Sequence, residues 1–309
     1  MKRFILKTCL FAAAFAGIVS AGTFVLPKNP HSYMAEFARK QNRLREENSR
    51  KIVFVGGSNL AFGLDSEAIQ RELKIPVLND ALHAGIGLYF IAETTCPHLK
   101  KGDFAIFAFE YQHFFGEAGG MKEFVNALIY DSSVLQNLSF ETLARIPAYL
   151  PEVSYDNAKN CAKFLLKKDW EKPGAPYSLE SFNKFGDVVG HLKMEPKTIR
   201  ASSCVSALDA EAVDFFCAKL TELKNRGVHV FVFPPVLQKS SYKNWEKNIS
   251  QLRAELRKRG FDFCVCPSRY AFADNLFFDT FYHSNAQGIK LRTELIIDDL
   301  KNVCELPET

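Results

Sequence analysis

Several signatures are missing from this 309-residue chain, and each absence removes a class of function. It has no glycine-rich Walker loop, so nothing marks a nucleotide-triphosphate engine. It has no Cys-x-x-Cys pair or other spacing that suits zinc. No G-x-S-x-G elbow occurs, because Leu60 stands where the second glycine belongs. No internal repeat is evident. Excess charge is small as well: the net +4 includes Lys2, Arg3 and Lys7 at the extreme N-terminus, and about +1 is left for the rest. A basic footprint for nucleic acid is therefore absent. What remains is ordinary globular composition, 47% hydrophobic and 24% charged, enough for one large domain or two small ones.

The N-terminus departs from that ordinariness. After its three basic residues comes an uncharged run, Thr8 to Leu26, of 19 residues. It suits a cleaved signal peptide, with Val19-Ser20-Ala21 as the small-residue cleavage site. It suits equally well an uncleaved membrane anchor, since 19 residues just span a bilayer. Either way the basic end stays inside, and the remainder is expected to be extracytoplasmic, periplasmic or at the cell surface. A terminal core helix is the plainer alternative. Eight cysteines leave the redox setting open: Cys9 lies in the export segment, and Cys264 and Cys266 alternate on one expected strand. Free cysteine commonly serves as a small buried hydrophobe. An exported protein can carry disulfides, but no pairing is readable.

The layout expected is residues 1–26 as signal or anchor, 27–50 as a stalk or short helix, and 51–305 as the folded domain. Within the domain, short apolar runs alternate with amphipathic ones. Strands are expected at 52–55, 75–78, 104–109, 228–233 and 261–265. Helices are expected at 66–73, capped by Asp65 or Ser66, at 88–99, at 245–258, and after capping boxes beginning at Ser206 and Ser284. Strands separated by helices imply a parallel sheet covered on both faces. The segment at about 114–200 breaks the rhythm. It is aromatic and interrupted by Pro147, Pro151, Pro173, Pro176 and Pro196, and reads as a helical insertion overhanging the sheet.

In such sheets, sites lie at the carboxyl ends of the strands. The first strand ends Val55-Gly56-Gly57-Ser58-Asn59. Alone, Gly-Gly-Ser there is more often a plain turn. The other end of the chain supplies what a serine nucleophile needs, a base and a carboxylate to orient it. Asp279 and His283 stand four residues apart, just before the final helix and after the last strand. A surface Asp and a helix-capping His is the bland alternative.

With those residues together, the chain resembles the SGNH (GDSL-like) hydrolases. Val55–Asn59 resembles their first block, with Gly57 in place of the usual aspartate before the serine. Val77–Gly85 is similar to their second block, with Gly85 as the best match for its glycine and Gly87 next. Asp279-Thr-Phe-Tyr-His283 is similar to their final Asp-x-x-His but one residue longer. The third block departs: Gly-x-Asn-Asp is replaced by Ala108-Phe-Glu-Tyr-Gln-His113, and superposing the strands puts Gln112 where the asparagine would stand. The resemblance covers about 51–112 and 204–303. It implies a three-layer α/β/α flavodoxin-like fold with a five-stranded parallel sheet. It implies a Ser58–His283–Asp279 triad with Ser58 N–H, Gly85 N–H and the Gln112 amide at the oxyanion, and no metal or cofactor. The layout is similar to membrane-anchored bacterial members, such as the D-alanine-transfer protein of teichoic-acid modification. This implies an esterase or O-acyltransferase whose partner is an acylated glycan or other small ester, with membrane attachment if the N-terminus is kept.

Two other functions remain open on the residues alone. One is a non-catalytic binding or assembly module, favoured by the altered third block; Tyr149, Tyr155, Trp170 and Tyr177 could stack on glycan or simply pack as core. The other is a flavin or nucleotide binder with its phosphate against Gly56–Asn59.

Overall fold

The computed structural model describes residues 1–304; the expected domain end at 305 lies outside the described residues. A long N-terminal helix, α1 (Lys2–Ser20), continues through one turn of wider helix to Val25. Helix α2 (Glu36–Glu46) follows, then β1 (Ile52–Val55), the single turn α3 (Ser58–Ala61), α4 (Ser66–Leu73), β2 (Val77–Asn79), α5 (Leu88–Thr95) and β3 (Phe104–Phe107). The middle region holds α6 (Lys122–Leu128) and α7 (Phe140–Lys167). The chain then resumes with α8 (Ala210–Asn225), β4 (His229–Val232), β5 (Leu237–Gln238), α9 (Lys239–Lys258), β6 (Ala271–Phe272) and α10 (Ala286–Asn302).

The fold is α/β, built on a four-stranded parallel sheet in the order β2-β1-β3-β4. Pairing is in step: Ile52 lies beside Val77 and Phe104, and Phe104 beside His229. All four residues of β1 and of β3 are buried, as a sheet covered on both faces requires. Alternation splits them between two cores. Val53, Val55, Ala105 and Phe107 pack with residues of α2, α5, α6, α8 and α9. Ile52, Phe54, Phe104 and Ile106 pack with residues of α4 and α10.

The expected fifth strand at 261–265 does not form. Cys264 N–H reaches the carbonyl of Val232 at 2.8 Å, but the rest of a ladder is missing. Within this segment the Asp262 carboxylate is held by Arg253 and Arg257 of α9 and by the N–H of Phe263. A separate two-stranded pair, β5 with β6, forms beyond it. The caps also shift. Asp209, not Ser206, accepts the Ala212 N–H that opens α8, and Asn285, not Ser284, caps α10. Asp65 caps α4 as expected.

The 27–50 segment is not a free stalk. Tyr33, just ahead of α2, and Phe37 and Leu44 of α2 are buried in the larger core, beside the buried Glu36, Lys40 and Gln41 of the same helix. The middle region is helical only as far as Lys167; most of 168–209 is irregular, with one short 3₁₀ turn. Helix α7 runs through Pro147 and Pro151, both on its exposed side, where water can serve the carbonyls that proline leaves unpaired. All eight cysteines are free thiols.

Below the sheet, Lys51 and Asp103 precede β1 and β3 and form a fully buried ion pair at 2.9 Å. The Asp103 carboxylate also accepts the backbone N–H of Lys51 and of Lys100. Removing one member strands the other charge in the core. Lys51→Met is expected to lower stability by about 3–5 kcal/mol in urea unfolding, with an unchanged dependence on urea concentration.

Candidate active site

Strand β1 ends at Val55, and its next three residues carry Ser58 to the carboxyl edge of the sheet as the first residue of α3. Neither Gly56 nor Gly57 has positive φ, so their role is not a left-handed turn. Close approach explains them. A Cβ on Gly56 would sit 2.5 Å from the carbonyl oxygen of Ala108, and one on Gly57 would sit 2.4 Å from a carboxylate oxygen of Glu110.

That carboxylate organises the turn. Glu110 follows β3, is fully buried, and accepts Gly57 N–H at 3.1 Å and Asn59 N–H at 2.8 Å. The N–H of Ser58 lies between them and has no partner among the described residues. Asn59 is held from its other side. Its side-chain amide donates to Ala108 O at 2.8 Å. Arg292 of α10 donates to the Asn59 carbonyl through Nη1 and to its Oδ1 through Nη2 at 2.8 Å. Arg292 is 1% exposed, and burial lowers its pKa to about 10, which leaves it cationic at neutral pH. The serine turn is thus set between a buried anion and a buried cation.

Asp279 and His283 come together as their spacing suggests. The loop that carries them is closed by an antiparallel bridge between Phe277 and Ser284. Between them the Thr280 hydroxyl accepts the N–H groups of Tyr282 at 3.3 Å and His283 at 3.1 Å. The His283 ring turns back so that Nδ1 lies 2.8 Å from Asp279 Oδ1. It also stacks flat on Phe62, with ring centroids 4.1 Å apart and planes 5° apart. Phe62 caps α3, its N–H bonding to the carbonyl of Ser58 at 2.9 Å, so the base rests on the turn that bears the serine. Ser58 Oγ and His283 Nε2 make no hydrogen bond among the described residues, and neither is wholly enclosed.

Asp279 has a second partner that the sequence did not disclose. The hydroxyl of Tyr177, from the irregular part of the middle region, donates to Asp279 Oδ2 at 2.6 Å. Burial pushes the Asp279 carboxyl up, but hydrogen bonds from His283 and Tyr177 outweigh it and hold the group below its ordinary value. Both carboxylate oxygens are therefore occupied, and the carboxylate can orient the imidazole and balance its charge.

The other expected residues are placed differently. Gly85 lies on the same edge, but its N–H donates to Nδ1 of His83 at 2.9 Å. Gln112 sits in a 3₁₀ turn after β3, and its side chain bonds to no described residue. Glu110 and His113 are the residues that the third block delivers. His113 Nε2 lies 2.8 Å from Ala84 O, which pins the second-block turn, and its Nδ1 lies 3.7 Å from Glu110. The signal for Glu110 was legible, a lone acid just past a continuous apolar strand; Tyr177 and Arg292 carried none. A groove of about 810 Å³ runs between α4 and α10, but it includes none of these residues. No cluster suited to a metal is present among the described residues.

In comparisons with known proteins, no protein-family model and no curated protein matches this chain.

Tyr177→Phe removes one of the two bonds that keep Asp279 ionised. The Asp279 pKa is expected to rise toward the ordinary carboxylate range in an NMR titration. The variant should lose about 0.5–1 kcal/mol at neutral pH, since the bond is open to water. Because the folded pKa is depressed, this contribution is full above the ordinary carboxylate pKa. It fades as pH falls through the folded value, so wild type and variant should converge in acid.

Proposed function

We propose that the protein is an extracytoplasmic serine esterase or O-acyltransferase of the SGNH type, acting on acyl esters of an envelope or exported polysaccharide. The observation that carries this reading is the 2.8 Å contact of Asp279 with His283 Nδ1, on a ring stacked against the turn that presents Ser58. Nε2 is left unpaired for a serine proton. The free Ser58 N–H at the start of α3 is the kind of donor an oxyanion needs. Parallel strands with helices on both faces support the flavodoxin-like three-layer architecture that goes with this chemistry.

In the proposed reaction, Ser58 Oγ attacks the ester carbonyl as His283 takes its proton. The tetrahedral intermediate collapses and His283 returns the proton to the departing alcohol. Water or a sugar hydroxyl then attacks the acyl-serine by the reverse steps, giving hydrolysis or transfer. The 24-residue helix Lys2–Val25 is long and apolar enough to cross a membrane, its most apolar 18-residue stretch having mean hydropathy 1.9. Its end is built into the fold: Asn157 of α7 donates to the carbonyls of Gly22 and Thr23, and the Cys161 thiol lies 3.1 Å from Pro27 O. This favours an anchor that is kept. The intact mass of protein recovered from membranes should then include residues 1–26, and a product beginning near Gly22 would count against retention.

A second reading has two observations in its favour. The Glu110 charge lies beside the amide that would hold the oxyanion, and Ser58 is not bonded to His283. A non-catalytic accessory module of polysaccharide modification would tolerate both. A fluorophosphonate probe separates the two. Ser58 is expected to label, and Ser58→Ala to lose both the label and p-nitrophenyl acetate cleavage; equal cleavage by wild type and Ser58→Ala would end the triad assignment.

A further inference from the structure

The proposed chemistry needs more than one oxyanion donor, and the expected set is depleted. Of the three, Gly85 N–H is spent on His83, which leaves Ser58 N–H and the Gln112 side-chain amide without a partner among the described residues. The residue that takes the Gly85 bond is itself at the site. The segment 83–85 packs directly on the serine turn, since a Cβ on Gly57 would lie 2.8 Å from the Cα of Ala84. It is fastened there on three sides. His113 Nε2 holds Ala84 O at 2.8 Å, Met121 N–H bonds to Gly85 O at 2.7 Å, and Ile86 N–H bonds to His83 O at 3.1 Å.

The bond from Gly85 also decides the tautomer of His83. A backbone N–H can only donate, so Nδ1 must present its lone pair, and a neutral ring then carries its proton on Nε2. Burial does favour the neutral ring: it pushes the His83 pKa below its ordinary value, and nearby His283 and His113 push the same way against Glu123 and Glu110. Nε2 makes no hydrogen bond to any described residue and is not sealed in the interior. His83 is therefore a neutral imidazole fixed by its backbone, with a spare N–H donor, on the segment whose Ala84 packs against the serine turn.

We propose that His83 Nε2–H is the second oxyanion donor of this site, completing the pair with Ser58 N–H in place of the Gly85 amide and the missing asparagine. The inference rests on the serine-esterase reading. When Ser58 Oγ bonds to the carbonyl carbon, the π pair moves onto the carbonyl oxygen, and His83 Nε2–H donates to that oxygen without giving up its proton. A neutral donor also suits a site beside the Glu110 anion, because it adds no charge that would pair with Glu110 and turn away from the substrate.

The test uses the full chain in detergent with p-nitrophenyl acetate. His83→Ala is expected to lower kcat by about 10²–10³-fold with KM little changed, as for loss of one oxyanion donor. His83→Gln, which can place an amide N–H near the Nε2 position, should be clearly faster than His83→Ala. A kcat for His83→Ala within about threefold of wild type, or no advantage of Gln over Ala, overturns the proposal. Because His83→Ala also removes the Gly85 partner and could disturb the turn, the wild type gives an independent check. In ¹⁵N spectra His83 should show the Nε2–H tautomer, and its proton should move downfield when Ser58 is phosphonylated. An Nδ1–H tautomer, or no response to the adduct, overturns the assignment. A wild type that neither labels at Ser58 nor cleaves ester sinks the esterase reading and this inference with it, whereas an active wild type with an equally active His83→Ala sinks only the role of His83.

Discussion

The Glu110 carboxylate fixes the turn on which the rest of the site depends. Two consecutive odd-numbered amides, Gly57 and Asn59, converge on its oxygens, and the amide between them is left pointing elsewhere. A carboxylate at a helix start is a favourable arrangement in its own right, since unpaired N–H groups and the peptide dipoles gather there. At full burial it still needs a counter-charge, which Arg292 supplies from the far end of the chain through Asn59. The two glycines follow from this, because no side chain fits between the turn and either Ala108 or Glu110. Residues 56–59, 108–110 and 292 are thus one unit, and its output is a largely buried serine at the sheet edge with an unclaimed N–H.

A second unit meets the first through aromatic packing. His283 lies on Phe62, Phe62 is also near Tyr33 and Tyr177, and Tyr177 in turn bonds Asp279. The region between β3 and β4 therefore does more than decorate the sheet: one of its residues completes the hydrogen bonding of the carboxylate behind the base. Tyr33 draws the segment ahead of β1 into the same cluster, with its hydroxyl on Leu82 O, which is why residues 33–46 are core and not stalk. Both additions come from segments of low local regularity, where a sequence pattern has nothing periodic to show.

The alternation of short apolar runs with amphipathic helices was legible, and so were the positions of four of the five expected strands. The fifth does not form; only Cys264 N–H reaches β4 there, while the Asp262 carboxylate pairs with two arginines of α9, and a pattern of apolar residues registers neither. The capping boxes were right about where helices begin to within a few residues, and wrong about which side chain accepts, since Asp209 and Asn285 outcompete the serines ahead of them. The pairing of Asp279 with His283 was readable because it is local, four residues within one loop. The contacts of Glu110 and Tyr177 were not, because their partners stand 51 to 102 residues away.

What the sequence by itself determined is the set of elements whose cause lies within about ten residues: the buried strands, the helix starts and stops, the apolar N-terminal helix, and an aspartate and histidine spaced for one hydrogen bond. Tertiary structure decided which polar groups meet at the sheet edge. It put Glu110 rather than Gln112 under the serine turn, and brought Arg292 and Tyr177 in from remote segments. The physical reason is that a buried hydrogen bond or ion pair has little value until the surrounding core removes water from it. Such pairings are selected by the packing of the whole molecule, and no local pattern of residues can announce them.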